Sequence, residues 1–365
     1  MRIVLTGGGT GGHIYPLVAV ARKLKEKNCE LLFVGPAGEM EKKVMTEEGI
    51  KSKHIATGKF RRYFSFQTVT DAFKVPFGIM KALLILLIFM PDAVFSKGGY
   101  ASFPVIVAAW IYRIPILTHE SDSIPGISNR IIGKLSRRVA ISYPRARRYF
   151  LESKVLLTGN PIREGINQGS KEKARQKLGL TEIKPVTLIL GGSQGAQNIN
   201  KAVTDVLPEL LKSSQVIHQT GPIGYDEVVR RAAVAGIKAG REGYHPVPFI
   251  EAQDLSDFFA VADLVISRAG SNSISEIAAN KKVALLIPLS NSANNHQSMN
   301  AYELAEAGGA LVLEESNLGR HIVMEKINKL LTDTNLRSSM SKNIQPFYHS
   351  DATDKIITGI MDMVK

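Results

Sequence analysis

The chain has 365 residues, 44% hydrophobic and 22% charged, with a formal net charge of +13. These proportions exclude disorder, collagen and coiled coil as the main architecture, and the length suits about two domains. Cys29 is the single cysteine, which excludes an internal disulfide and points to a reducing compartment.

The start, Met1-Arg2-Ile3-Val4-Leu5-Thr6, runs directly into glycines and lacks the apolar core of a signal peptide. Ile3–Thr6 is predicted as a strand, Gly12–Lys27 as a helix and Leu31–Val34 as the next strand. Ile79–Met90 carries one charge in twelve residues, too short to span a bilayer but apolar all round. Strands follow at Ala93–Phe95, Pro115–Thr118 and Val139–Ile141. The rhythm restarts after a polar stretch at Gly165–Lys173. A strand at Val186–Leu190 precedes a helix near Ala196–Leu211, with further strands at Val216–Gln219, Leu264–Ser267 and Val283–Ile287 and a last helix at Thr353–Val364. Strand–helix alternation throughout predicts α/β halves with parallel sheets covered on both faces. The expected domains are 1–163 and 164–340, with a C-terminal segment 341–365 that can pack on either half, back on the first among them, and a cleft between the halves.

Three strand–turn–helix units carry small residues. They are Thr6-Gly7-Gly8-Gly9-Thr10-Gly11-Gly12-His13, Leu190-Gly191-Gly192-Ser193-Gln194-Gly195-Ala196 and Ser267-Arg268-Ala269-Gly270-Ser271 leading to Glu276. Glycine allows a sharp turn and close approach, and a helix amino end presents N–H groups to an anion. Gly7, Gly9 and Gly12 satisfy the spacing of a dinucleotide fingerprint, but the second strand runs into Gly35-Pro36 with no acid for a ribose. His13 stands near the place of the Lys-Ser/Thr pair of a P-loop, which excludes that reading. Glu276 lies on the first turns of its helix, where it can complement the dipole or accept from a ribose diol.

These motifs, with His119-Glu120, Asn129, Gly159-Asn160-Pro161-Ile162-Arg163 and His296-Gln297…Asn300-Ala301 in the same order, make the chain resemble the MurG family. Its members are the UDP-N-acetylglucosamine:N-acetylmuramyl-(pentapeptide) pyrophosphoryl-undecaprenol N-acetylglucosamine transferases, and the resemblance runs along essentially the whole chain. It implies a GT-B glycosyltransferase fold of two Rossmann-like domains whose parallel sheets face a central cleft. It implies inverting transfer of GlcNAc from UDP-GlcNAc to the C4 hydroxyl of the MurNAc of lipid I, giving lipid II for peptidoglycan, at the cytoplasmic face of the inner membrane. Residue by residue, it implies donor contacts from Thr10, Gly11, Gly12, Asn129, Arg163, Ser193, Gln194, Phe249, Ile250, Ser271, Glu276, Gln297 and Asn300. Phe249 and Ile250 fall at the uracil, Glu276 at the ribose diol, and Gln297, Asn300 and Asn129 at the sugar. Ser121-Asp122 stands where some members have Gln-Asn.

Such a transfer needs a base and a stabilised leaving diphosphate. Arg163 and the loops at Ser193 and Ser271 can serve the diphosphate. The chain has no Asp-x-Asp pair and no His/Cys cluster, so neither cofactor nor protein-bound metal is expected. His13 is the leading base, because a helix amino end favours neutral imidazole; His119, Glu120 and Asp122 are rivals. On the acceptor and membrane side, Leu83 and Leu86 of the apolar segment are flanked by Lys59, Arg61, Arg62 and Lys74. A second basic set runs from Arg130 to Arg148, and no acid occurs from Ser123 to Leu151. That combination suits an anionic membrane surface and a lipid-linked acceptor, with His119 and Glu120 as acceptor candidates. Nucleic acid is not expected, since no zinc spacing, aromatic RNA-binding motif or recognition helix is present. A UDP-GlcNAc 2-epimerase, another GT-B enzyme with a lipid-linked acceptor, or a non-catalytic nucleotide-sugar binder are the alternatives.

Overall fold

The structure is a computed structural model that describes residues 1–9, 11–58, 66–192, 195–290, 292 and 295–364, the side chains of 66–73 excepted. The chain divides into two compact units, Met1–Ile162 with His349–Lys365, and Arg163–Tyr348.

The first unit runs β1 (Arg2–Thr6), α1 (Gly11–Glu26), β2 (Glu30–Gly35), α2 (Glu39–Glu47), β3 (Lys51–His54), α3 (Phe66–Phe89), β4 (Ala93–Ser96), α4 (Phe103–Ile111), β5 (Ile116–Glu120), α5 (Ile127–Leu135), β6 (Arg138–Ile141) and β7 (Val155–Leu157). Its seven strands lie in the order β3-β2-β1-β4-β5-β6-β7, and every pairing is parallel. Period-two alternation sends Ile3, Leu5 and Phe33 to one face and Val4, Leu32 and Val34 to the other. The first face is covered by α1, the second by α3 and α4.

The second unit runs α6 (Lys171–Leu178), β8 (Val186–Leu190), α7 (Gln197–Ser213), β9 (Gln215–Gln219), α8 (Tyr225–Val234), β10 (Tyr244–Val247), α9 (Ala252–Val261), β11 (Leu264–Ser267), α10 (Ser271–Ala279), β12 (Val283–Leu286), α11 (His296–Glu306), β13 (Leu311–Val312), α12 (Arg320–Thr332) and α13 (Thr334–Asn343). Its six strands lie in the order β10-β9-β8-β11-β12-β13, again all parallel.

The last helix, α14 (Ala352–Val364), belongs to the first unit and buries Ile356, Ile357, Ile360 and Met363 against the face that α1 covers. Gly359 permits the approach, since a Cβ there would lie 2.9 Å from Leu117 Cδ1. The expected limit at 340 falls inside α13, whose buried Met340 joins the core of the second unit; that unit continues to Tyr348.

The apolar helix needs a correction. Leu86 is 1% exposed, and Leu83 is half-buried against the same core. At about 100° per residue, Ala82 and Leu86 share the inward side. The outward side is Phe77, Met80, Leu84, Leu87 and Ile88, with Leu84 57% and Ile88 79% exposed. Packed beside α3 is α4, whose end exposes Trp110 and Ile111, and beside α4 is α5, which exposes Ile127 and Ile131. Among the described residues, no helix is long and apolar enough to cross a membrane.

Candidate active site

Both sheets change winding direction between a central pair of strands, β1 and β4 in the first and β8 and β11 in the second. In open parallel sheets, ligands bind outside the strand carboxyl ends at such a point. All three glycine-bearing turns singled out in the sequence leave these strands.

In the first unit, β1 ends at Thr6 and α1 begins at Gly11, so the glycine turn leads straight to a helix amino end. Gly11 is buried and Gly12 exposed, while Thr10 lies outside the described residues. Glu41 Oε1 accepts the Gly9 N–H at 2.7 Å. His13, in the first turn of α1, donates from Nδ1 to the Gly8 carbonyl at 2.9 Å. A carbonyl only accepts, so this bond selects the tautomer whose Nε2 carries the lone pair.

The turn after β4 holds residues that sequence reasoning missed: Lys97, Gly98, Gly99 and Tyr100. A Cβ on Gly99 would lie 3.1 Å from His13 Cε1, and one on Gly9 would lie 3.0 Å from the Tyr100 hydroxyl. The signal was available. A short apolar strand, two glycines and then Ser102-Phe103-Pro104 repeat the strand–turn–helix form seen elsewhere.

The rival bases are differently placed. His119 is fully buried in β5, and its Nε2 donates to the Gly159 carbonyl at 2.9 Å. Burial, then the Lys97 charge, holds its pKa well below the usual imidazole value. Glu120 is 3% exposed, and its two oxygens accept the Asp122 N–H at 2.9 Å and the Asn129 amide at 2.7 Å. Burial, reinforced by the Asp122 charge, lifts the Glu120 carboxyl to about 7. Asn129 uses its own oxygen on the Gly99 N–H at 2.7 Å, so both ends of this expected sugar contact serve the first unit's framework. Asp122 is half-buried. Of the four, His13 combines partial exposure with a defined lone pair.

In the second unit, Gly191 and Gly192 follow β8, and Arg268-Ala269-Gly270 follows β11. A Cβ on Gly192 or Gly270 would meet nothing within 4 Å, so both turns border open space. Gly270 has no side chain with which to cap α10. Ser193 and Gln194 lie outside the described residues. Ser271 opens α10 and is buried; one turn on, Glu276 is 7% exposed and faces Arg163 at 3.4 Å. Burial raises the Glu276 carboxyl and the Arg163 charge opposes that rise. Phe249 (half-buried) and Ile250 (buried) follow the carboxyl end of β10.

Gln297 and Asn300 lie on α11. The Gln297 oxygen accepts the Leu289 N–H at 3.1 Å, and Asn300 is fully buried with its amide 3.4 Å from the Ala269 carbonyl. The loop before α11 is held by Glu315, which accepts from Arg268 Nη2 and Ser290 Oγ at 2.5 Å each. Burial raises this carboxyl, but hydrogen bonds from Ser290, Arg268 and Asn198 outweigh it and bring it to about 2. Arg61 and Arg62 lie outside the described residues. Of the other basic residues, Arg137 bonds the Met363 carbonyl, Arg138 the Ser153 carbonyl and Arg147 the Glu152 carboxylate. Arg130 and Arg148 both stack on Tyr149, at 4.4 and 4.9 Å.

Beneath the turn after β8, His218 is fully buried between the Tyr244 hydroxyl (3.1 Å) and the Asn200 oxygen (3.0 Å), and burial depresses its pKa to about 3. Below about pH 6.5 the unfolded chain takes up a proton that the folded chain refuses, so stability falls as pH falls toward the folded value. This residue alone is expected to cost about 2 kcal/mol between pH 7 and pH 5. Urea midpoints at the two pH values should differ less in His218→Gln than in the wild type; equal shifts refute the assignment.

Residues 3–141 match the glycosyltransferase family 28 N-terminal domain, and residues 186–356 match its C-terminal domain. The chain is 37% identical over 368 residues to the UDP-N-acetylglucosamine--N-acetylmuramyl-(pentapeptide) pyrophosphoryl-undecaprenol N-acetylglucosamine transferase of Clostridium perfringens, covering 100% of this chain and 98% of that protein. It is 38% identical over 365 residues to the transferase of the same name from Lachnospira eligens, covering 100% and 99%. Among solved structures, Acinetobacter baumannii MurG superposes with a TM-score of 0.77 at 25% identity, over 99% of each chain. A Neisseria meningitidis UDP-GlcNAc 2-epimerase bound to UDP-GlcNAc superposes with a TM-score of 0.71 at 15% identity, over 99% of this chain and 100% of that one, a likeness of fold alone.

Proposed function

The chain belongs to glycosyltransferase family 28, and on that premise we propose that it transfers GlcNAc from UDP-GlcNAc to the C4 hydroxyl of the MurNAc of lipid I, forming lipid II. The full-length identity of 37% to a transferase named for this reaction carries the reading. The epimerase alternative rests on fold alone, and fold does not fix chemistry.

In the proposed mechanism, the second unit holds the donor. Glu276 accepts from the ribose diol, Phe249 and Ile250 border the uracil, and Gln297 faces the sugar, while the fully buried Asn300 holds the Ala269 carbonyl. Arg163 and the amino end of α10 stabilise the diphosphate as it gains charge, which favours the transition state over the ground state. His13 takes the acceptor proton at Nε2 as the sugar anomeric carbon is attacked from the face opposite UDP. The chain's own cations and N–H groups supply the leaving-group stabilisation, so no protein-held metal or other cofactor is required. Purified protein with labelled UDP-GlcNAc, a lipid I analogue and a chelator should yield disaccharide-lipid and UDP. Epimerised nucleotide sugar without acceptor, or activity that needs added metal, refutes the corresponding part.

The exposed apolar side of α3, with Trp110, Ile111, Ile127 and Ile131, is the surface we propose for peripheral contact with the cytoplasmic face of an anionic membrane. Exposed apolar area of this kind marks interaction sites, and adjacent cations add about 1 kcal/mol each at an anionic surface. Leu84→Asp with Leu87→Asp should weaken binding to anionic vesicles by about tenfold or more and leave the fold intact, since both are exposed. Leu86→Asp should instead destabilise the first unit, because it buries a charge in the core. Vesicle binding indifferent to the outward pair, or to salt, overturns the proposal.

A further inference from the structure

Lys97 is 1% exposed at the carboxyl end of β4, and burial lowers its pKa to about 8. A buried ammonium costs several kcal/mol unless it is paired and hydrogen-bonded. Here Nζ donates to Ser121 Oγ at 2.7 Å, and Glu120 and Asp122 are the opposing charges. Glu120 in turn accepts from the Asn129 amide at 2.7 Å, and the Asn129 oxygen accepts the Gly99 N–H at 2.7 Å. Gly98 and Gly99 have φ of +81° and +80°, a left-handed pair that a Cβ would strain. A Cβ on Gly98 would also lie 2.2 Å from the Asn129 oxygen, and one on Gly99 would lie 3.1 Å from His13 Cε1.

The ammonium held at Ser121, the carboxylate of the next residue back, Glu120, and the Asn129 amide thus lead to the backbone that borders His13. The sheet does not need them, because β4 and β5 pair through their own backbone ladder. A strained turn persists only where its surroundings over-determine it.

We propose that Lys97 is a positioning residue for glycosyl transfer: held at Ser121 and opposing the charge of the neighbouring Glu120, it fixes the Gly98–Gly99 turn through Asn129 and so sets His13 against the acceptor hydroxyl. This deepens the proposed transferase reaction and rests on it. Removal of the ammonium leaves a buried carboxylate without its counter-charge. Glu120 then takes up a proton, the bond from Asn129 weakens, and the turn is released. Removal of both charges restores neutrality, and an amide oxygen at position 120 still faces Asn129, although the bond from the Asp122 N–H is given up.

The test compares the full-length wild type with Lys97→Met and Lys97→Met/Glu120→Gln, using UDP-GlcNAc and a lipid I analogue, with thermal melting in parallel. Lys97→Met should lower kcat by about tenfold or more and leave the KM for UDP-GlcNAc within about twofold. The double variant should return kcat to within about threefold of wild type. A folded Lys97→Met with wild-type kcat overturns the proposal and leaves the lysine a scaffold residue only. So does a double variant that recovers its melting temperature but not kcat, since the ammonium would then act on substrate itself. A rise in the KM for UDP-GlcNAc that accounts for the loss overturns it as well. Should Lys97→Met fail to fold, Ser121→Ala removes the hydroxyl that holds the ammonium; kcat should fall about fivefold, and an unchanged kcat overturns the role. Absence of turnover by the wild type sinks the function itself, whereas unequal variants on an active wild type bear on Lys97 alone.

Discussion

Glu276→Ala should raise the KM for UDP-GlcNAc by about 100-fold while kcat changes little. The carboxylate is 7% exposed and faces the Arg163 guanidinium at 3.4 Å. Burial favours its neutral form, and the arginine opposes that shift. A buried carboxylate beside an arginine hydrogen-bonds sugar hydroxyls strongly, at about 1.5–3 kcal/mol for each bond to a charged group. Two such bonds account for the expected loss. The ribose is remote from the bond that breaks, so its contacts contribute equally to ground and transition states, and the effect belongs in KM. Alanine also leaves Arg163 without its carboxylate partner, which adds to the penalty. Calorimetric titration with UDP should show the same weakening. An unaltered affinity for UDP would remove Glu276 from the ribose site, and with it the assignment of the donor to the second unit.

His13→Ala should lower kcat by about 1,000-fold and leave donor affinity as it was. A positioned general base contributes about 100- to 10,000-fold, and the bond from Nδ1 to the Gly8 carbonyl holds this ring with its lone pair on Nε2. The expected donor contacts lie in the second unit, apart from Asn129 and the residues of the first glycine turn. His119 and Glu120 are weaker candidates because both are buried, with His119 Nε2 and both Glu120 oxygens bonded to the framework. Asp122→Asn is the decisive companion. If it costs as much as His13→Ala is expected to, and His13→Ala costs little, the aspartate is the base.

The fold was legible where local patterns are strong. Every central strand was predicted, because each is an apolar run buried on both faces. The four strands not foreseen, β3, β7, β10 and β13, are the edge strands of the two sheets. Edges have one neighbour and partial burial. Lys51-Ser52-Lys53-His54 therefore has no apolar run, and Tyr244–Val247 tolerates Pro246, which an inner strand would not.

The sequence by itself determined the α/β alternation, the strand–glycine–helix turns and the ordered motifs that identify the reaction, because these are short-range patterns along the chain. The tertiary structure alone decided which side of α3 faces out, that Glu276 meets Arg163, and that Lys97 is buried beside Ser121. Those outcomes depend on partners between 24 and 113 positions apart for the two residue pairs, by their numbering, and no local periodicity encodes them. A side chain's partner and its solvent exposure are properties of the packed core, fixed only when distant segments close upon one another.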